Sequence, residues 1–199
     1  MTHQPADLTA LIGSRICHDL ISPLGAIGNG VELLQMSGQP DSPEMALIAE
    51  SIANANLRIR FFRVAFGAAA DGQMIAGAEI ASLLSPGTDN RKVEVAWQPA
   101  GDQPRGAVKL AFLLLQCFET AMPWGGHVQV RRDGEHWQIR GEAEKLKIDP
   151  ALWALLSDPQ AGHDVPPAQV HFALIAPELA RQGREIGVTI AERSISVEF

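Results

Sequence analysis

The chain has 199 residues, 46% of them hydrophobic and 20% charged, with a formal net charge of −7. That length can bury one sizeable core or two small ones, while the acid excess argues against a dedicated nucleic-acid surface, which needs a basic stripe. No apolar run approaches the ~18 residues of a membrane span. The start Met1-Thr2-His3-Gln4-Pro5 lacks the basic and apolar regions of a signal peptide, so neither is expected.

The first third reads as two helices. Ala10, Gly13, Cys17, Leu20, Leu24, Ile27, Val31 and Leu34 recur at alternating spacings of three and four, the seam of a helix packed in a bundle. After the polar break Ser37-Gly38-Gln39-Pro40, Ser42 can N-cap a second helix with Pro43 at its first position. The second seam is Met45, Ile48, Ile52, Ala55, Ile59, Phe62 and Phe66. A short loop between two such helices predicts an antiparallel hairpin. A pairing in which residue numbers sum to about 79 sets Leu34 against Met45, Ile27 against Ile52, Cys17 against Phe62 and Gly13 against Phe66. Small residues then meet large ones. Ile21, Leu47, Leu57, Phe61 and Val64 flank this seam and need cover, from the rest of the chain or from a second copy; a four-helix bundle in a homodimer is the preferred reading.

From Gly67 to Gly77 the composition turns to Gly and Ala, which predicts a hinge or linker. Beyond it come a short helix at 78–84, a strand at 92–98 and an apolar helix at 106–122 closed by Pro123 and Gly125-Gly126. A hairpin follows, 127–132 and 136–141 around Asp133-Gly134. Helices at 151–156 and 168–182 and a closing hairpin, 184–191 and 194–199, complete the pattern. The expected class is α+β: a helical-hairpin domain over residues 1–70 and a two-layer α/β sandwich over 71–199. Cys17 and Cys117 lie in apolar helical patterns without CxxC spacing, which fits free thiols in a reducing cytoplasm.

Chemistry concentrates at His18. Arg15, Ser22 and Gly25 lie three, four and seven residues away and share its helix face, at the edge of the seam. Gly25 leaves room for a partner one turn beyond Ser22. A neutral imidazole is a nucleophile at its unprotonated nitrogen; Asp19 is the nearest group to orient the other nitrogen, and Arg15 could offset phosphate charge. His127 and His136 read as facing each other across a hairpin, with no further ligand at metal spacing. His163 reads as a loop residue and His171 as a helix-surface residue. Trp97, Trp137 and Trp153 read as core or sheet-face aromatics.

The string His18-Asp19-Leu20, Pro23-Leu24 and Ile27 resembles the phosphoacceptor box of sensor histidine kinases. The resemblance implies a dimerisation hairpin phosphorylated on His18, with Ser22 at the polar position that helps dephosphorylation in the kinases. The order of elements after residue 71 is similar to the kinases' ATP-binding domain, but its nucleotide motifs are missing. Thr120 stands where an Asn would hold magnesium, no Asp-x-Gly-x-Gly occurs, and His163-Asp164-Val165-Pro166-Pro167 replaces a glycine-rich loop. A kinase-like dimer without ATP chemistry is the pattern of the ChpT-type histidine phosphotransferases, which this chain resembles over its whole length. The resemblance is strongest in 17–34 and in Ala121-Met122-Pro123-Trp124-Gly125-Gly126.

In that family a phosphoryl group passes from the receiver domain of a hybrid histidine kinase to response regulators. The resemblance therefore implies a cytoplasmic phosphotransferase with no cofactor of its own, Mg²⁺ coming from the receiver, and no nucleic-acid or membrane partner. A docked receiver is expected along Ser22, Gly25, Ala26 and Asn29, with Asn54 and Arg58 contributed by the second helix. Two other readings are a receiver-binding adaptor that carries no phosphate and a residual ATP-dependent kinase.

Overall fold

The structure is a computed structural model that describes residues 13, 20–21, 24–25, 27–34, 36, 43–85, 92–158 and 165–199. The expected cap Ser42, and His163 with its loop, lie outside the described residues. The chain divides into two compact units, residues 1–68 with 87–90 and residues 69–86 with 91–199.

In the first unit every described residue from 13 to 36 is helical; the longest continuous piece, residues 27–34, is named α1. Helix α2 spans Pro43–Phe66, with Pro43 at its start, where a missing N–H costs nothing. A Cβ built on Gly13 would stand 3.4 Å from the Phe66 carbonyl oxygen, and one on Gly28 would stand 3.4 Å from Ile52 Cγ2. These pairs sum to 79 and 80, the register that the two seams predict. Val31, Phe61, Val64 and Ala65 are buried, and the Phe62 and Phe66 rings meet at 5.5 Å between centroids. Leu20, Ile27, Leu34 and Ile48, all seam residues, remain about half exposed.

The boundary between the units falls inside the segment expected to be a hinge or linker, and the second half of that segment is regular structure. Gly72 turns the chain at φ 73°, and β1 (Met74–Ile75) pairs antiparallel with β3 (Gln103–Pro104). The Arg105 N–H donates to the Gln73 carbonyl at 2.8 Å, and the Gly77 N–H donates to the Asp102 carboxylate at 3.1 Å. Helix α3 (Gly77–Leu84) and β2 (Val93–Trp97) follow, then the long helix α4 (Arg105–Ala121). The hairpin β4 (Gly126–Asp133) and β5 (His136–Glu142) turns at Gly134, φ 58°. Helix α5 (Pro150–Ala154) is capped by Asp149, whose carboxylate accepts from the Ala151 and Leu152 N–H groups. Helix α6 (Val170–Gln182) ends at Gly183 in the left-handed region, and β6 (Gly187–Ile190) and β7 (Ser194–Glu198) close the chain.

The five-stranded sheet has the order β2-β4-β5-β7-β6 and is mixed: β2 and β4 run parallel, the other neighbours antiparallel. A parallel neighbour needs a crossover, and α4 provides it. Alternation along the strands buries Val128, Val130, Trp137, Ile139, Ile195 and Val197 on one face. Helix α4 lies on that face. Trp97 of β2 meets Phe112 at 6.2 Å, and a Cβ on Gly141 would collide with Met122 and Phe118, so only glycine lets β5 pass so close beneath α4. Phe118, Trp153 and Phe172 continue the contact edge to face into α5 and α6. The fold is α+β with a mixed sheet.

Candidate functional site

Of the residues singled out in the sequence, His18, Asp19, Ser22, Arg15 and Ala26 lie outside the described residues, as does Pro23. Gly25, Asn29, Asn54 and Arg58 are described. Gly25 is half-buried and open beyond its Cα, since an added Cβ would find nothing within 4 Å. Asn29 is exposed and lies one turn after Gly25 on the same side of the helix. In the seam register Asn54 stands across from Gly25 and Arg58 across from Ile21. Asn54 is half-buried, whereas Arg58 is exposed with its guanidinium 5.3 Å from the Phe62 ring centroid. That cation–π contact holds a positive charge at the hairpin surface, with no ion-pair partner among the described residues.

In the second unit the position that would carry a magnesium-holding Asn belongs to a closed contact between helices. The Thr120 hydroxyl donates to the Gln116 carbonyl at 2.9 Å and lies 3.2 Å from His171 Nε2. His171 is buried, not at the helix surface as its sequence context suggests. Burial lowers its pKa from 6.5 to about 4, so at neutral pH it is an uncharged imidazole, its ring tilted 37° to that of Phe172 at 4.8 Å. The Gln116 amide nitrogen next to this contact is buried with no hydrogen-bond partner among the described residues.

Farther along the same helix pair, α4 and α6 share a buried charge cluster that sequence reasoning missed. Lys109 Nζ lies 3.1 Å from Glu178, both side chains almost wholly buried. Arg181 and Gln182 donate to the same carboxylate at 2.6 and 2.7 Å, and Gln182 also donates to the Gly106 carbonyl at 3.0 Å. Burial alone would push the Glu178 carboxyl up; the Arg181 and Gln182 hydrogen bonds and the Lys109 charge together hold it below its ordinary value. A signal existed: a lysine inside Ala107-Val108-Lys109-Leu110-Ala111, a stretch apolar all round, must be paired when buried.

The remaining candidates carry little chemistry. His127 and His136 do not face each other; their cross-strand partners are Glu142 and Asp133, at opposite ends of the hairpin. His127 lies 3.9 Å from Glu94, and His136 lies 3.8 Å from Glu198. Trp137 and Trp153 are core residues. Cys117 is a free, buried thiol whose pKa burial pushes well above its ordinary value. Among the described residues no group of three His, Cys, Asp or Glu side chains could hold a metal ion, and no helix is long and apolar enough to cross a membrane.

Known proteins supply the context for these two units. The family model described as the histidine phosphotransferase C-terminal domain matches residues 77–194. The protein phosphotransferase ChpT of Brucella abortus (strain 2308) is 35% identical over 206 residues, covering 100% of this chain and 98% of that protein. A solved bacterial phosphotransferase, 29% identical, superposes with a TM-score of 0.68 over 100% of this chain and 98% of its own. With the family model spanning more than half of the chain and this relative matching all of it, the chain belongs to the histidine phosphotransferase family.

Proposed function

We propose that this chain is a phosphoryl carrier of a cytoplasmic phosphorelay, taking a phosphoryl group on His18 from the receiver aspartate of a hybrid histidine kinase and passing it to response regulators. The observation that carries the reading is the string His18-Asp19-Leu20 with Pro23-Leu24 in a chain of this family. Nε2 of His18 attacks phosphorus in line with the aspartyl oxygen; the P–N bond forms as the P–O bond breaks, and the carboxylate leaves. The reverse displacement loads the next receiver. Magnesium is brought by the receiver, and this chain needs no cofactor of its own. Asp19 and Ser22 tune and flank the nucleophile, and Arg15 offsets phosphate charge. Gly25, Ala26 and Asn29 form the track along which the receiver lies, with Asn54 and Arg58 on its second wall. The open space at Gly25 and the exposed Arg58 guanidinium support that track.

Two further observations support parts of the reading. The half-exposed seam residues Leu20, Ile27, Leu34 and Ile48 suit a homodimer whose second hairpin completes a four-helix bundle. The contact of Thr120 with His171 suits a domain that has given up nucleotide chemistry, making another protein's aspartate the phosphate source. The test mixes the chain with a phosphorylated receiver from the same genome. Acid-labile, alkali-stable label is expected on this chain and none on His18→Ala. Tight receiver binding without label would instead make the chain an adaptor, and stabilisation by ATP–Mg²⁺ would make it a kinase.

A further inference from the structure

The string Ala121-Met122-Pro123-Trp124-Gly125-Gly126 is not used by the chemistry proposed at His18. It forms the turn between α4 and β4, and that turn is held from several sides. The Gly125 N–H donates to the Met122 carbonyl at 3.0 Å, and the Lys147 N–H donates to the Ala121 carbonyl at 2.8 Å. Gly125 takes φ 104°, and a Cβ there would stand 3.0 Å from the Lys92 carbonyl oxygen; a Cβ on Gly126 would collide with Met122 and the Glu142 carbonyl. Glycines let the turn sit this close to its neighbours. What so tight a turn holds outward is an indole. Trp124 is 60% exposed, whereas Trp97 is half-buried and Trp137 and Trp153 are buried.

Positive charge gathers at the same turn. Of the chain's four lysines, Lys109 is sealed in beside Glu178, and the other three stand on segments that meet here. Lys92 Nζ donates to the Pro123 carbonyl at 3.1 Å, and Lys145 Nζ lies 4.5 Å from the Trp124 ring centroid. Lys92, Lys145 and Lys147 are exposed and have no ion-pair partner among the described residues. Trp124, Gly125, Gly126 and Lys145 line a hollow of about 480 Å³, in which Glu144 is the one carboxylate.

We propose that the Trp124 turn is a docking surface for an acidic linear segment of a partner protein, the indole taking an apolar side chain and the lysines taking the carboxylates beside it. Tryptophan is the residue most often found at the centre of an interface, and holding it and two ammonium groups in place beforehand lowers the ordering cost of binding. A broad anionic surface such as a membrane meets the whole chain, whose net charge of −7 repels it. Salt screens that repulsion beyond about 8 Å, so a narrow acidic segment responds to the local lysines alone. The proposal is independent of phosphoryl transfer at His18.

The experiment titrates the full chain into a fluorescein-labelled peptide of one Leu flanked by Glu residues. It reads anisotropy together with acrylamide quenching of Trp124, the exposed one of the four tryptophans. Binding that shields Trp124 and weakens with salt is expected. Replacing the peptide's Glu residues by Gln is expected to weaken binding by at least about tenfold, as are Trp124→Ala and Lys145→Glu. Arg131→Glu makes the same change of charge at the far end of β4 and is expected to leave binding unchanged. Circular dichroism checks the fold of each variant, and the Gln peptide decides the matter on the parent chain even if a variant misfolds. No binding, equal binding of the Glu and Gln peptides, or an equal loss in Arg131→Glu overturns the proposal. Binding to phosphatidylglycerol vesicles in place of the peptide also overturns it and makes the turn a membrane contact.

Discussion

In the C-terminal unit α4 is buried almost all round: Val108, Leu110, Leu113, Leu114 and Phe118 have no exposed surface, and even Lys109 and Glu178 are sealed in with their partners. In the hairpin, by contrast, Leu20, Ile27, Leu34 and Ile48 are half open although they belong to the seam. A core that satisfies itself has little left to offer a partner, whereas an incomplete one must be finished by something else. Under the proposed function, packing and transfer are divided between the units: the sheet and its helices close on themselves, and the hairpin offers the surfaces at which receivers arrive.

The sharpest way to break this contrast is His18→Ala, which is expected to abolish acid-labile phosphorylation while leaving the thermal transition of the chain unchanged. A loss of stability as large as the loss of label would mean that the units are not divided in this way.

Next in size is the buried ion cluster. Glu178→Ala leaves Lys109 buried without its carboxylate and is expected to destabilise the C-terminal unit by about 3–5 kcal/mol. Chemical denaturation measures it. The double variant Lys109→Met/Glu178→Leu is expected to recover most of that loss, since removing both charges removes the desolvation cost as well. Neither change is expected to alter phosphate uptake by His18 once the chain is folded.

A smaller effect comes from His171. Its folded-state pKa of about 4 lies below the ordinary 6.5. Between those values the unfolded chain binds a proton that the folded chain refuses, so the contribution is complete above pH 6.5 and shrinks as pH falls toward 4. About 2 kcal/mol should be lost between about pH 7.5 and pH 5, read from urea midpoints. His171→Gln is expected to remove that slope; an unchanged slope would place the titration elsewhere.

The smallest effect is at Gly25. Gly25→Ala meets no atom of its own chain and is expected to stabilise the hairpin by up to about 1 kcal/mol through helix propensity. If the receiver passes over this position, the same substitution slows transfer from receiver phosphate. A gain in stability together with a loss in rate is the signature of a position kept open for a partner.

Sequence patterns carried different parts of the molecule unequally. The hairpin register was readable because a three-four repeat persists over many turns and small residues such as Gly13 and Gly28 coincide with the large ones they face. The β4–β5 hairpin was readable because Asp133-Gly134 demands a turn with positive φ. Strands β1 and β3 were not, since two residues carry no period. The burial of His171 was hidden for another reason. Its cover comes from Thr120, fifty-one residues away on α4, and nothing local distinguishes it from a surface histidine. At the candidate site, helical spacing alone grouped Arg15, Ser22 and Gly25 with His18. The phosphoacceptor role came from resemblance, because a nucleophile's reactivity depends on a partner that no single chain displays.

The position of β7 has a consequence for synthesis. Strand β7, Ser194–Glu198, lies between β5 and β6 rather than at an edge, and Phe199 both exchanges backbone hydrogen bonds with Trp137 and stacks on its ring. The hairpin needs only contacts close in sequence and can form while the chain is still being extended. The sheet cannot close until β7 has left the ribosome. The order of synthesis therefore puts the residues of the hairpin, with its half-exposed seam, ahead of the residues that close the sheet.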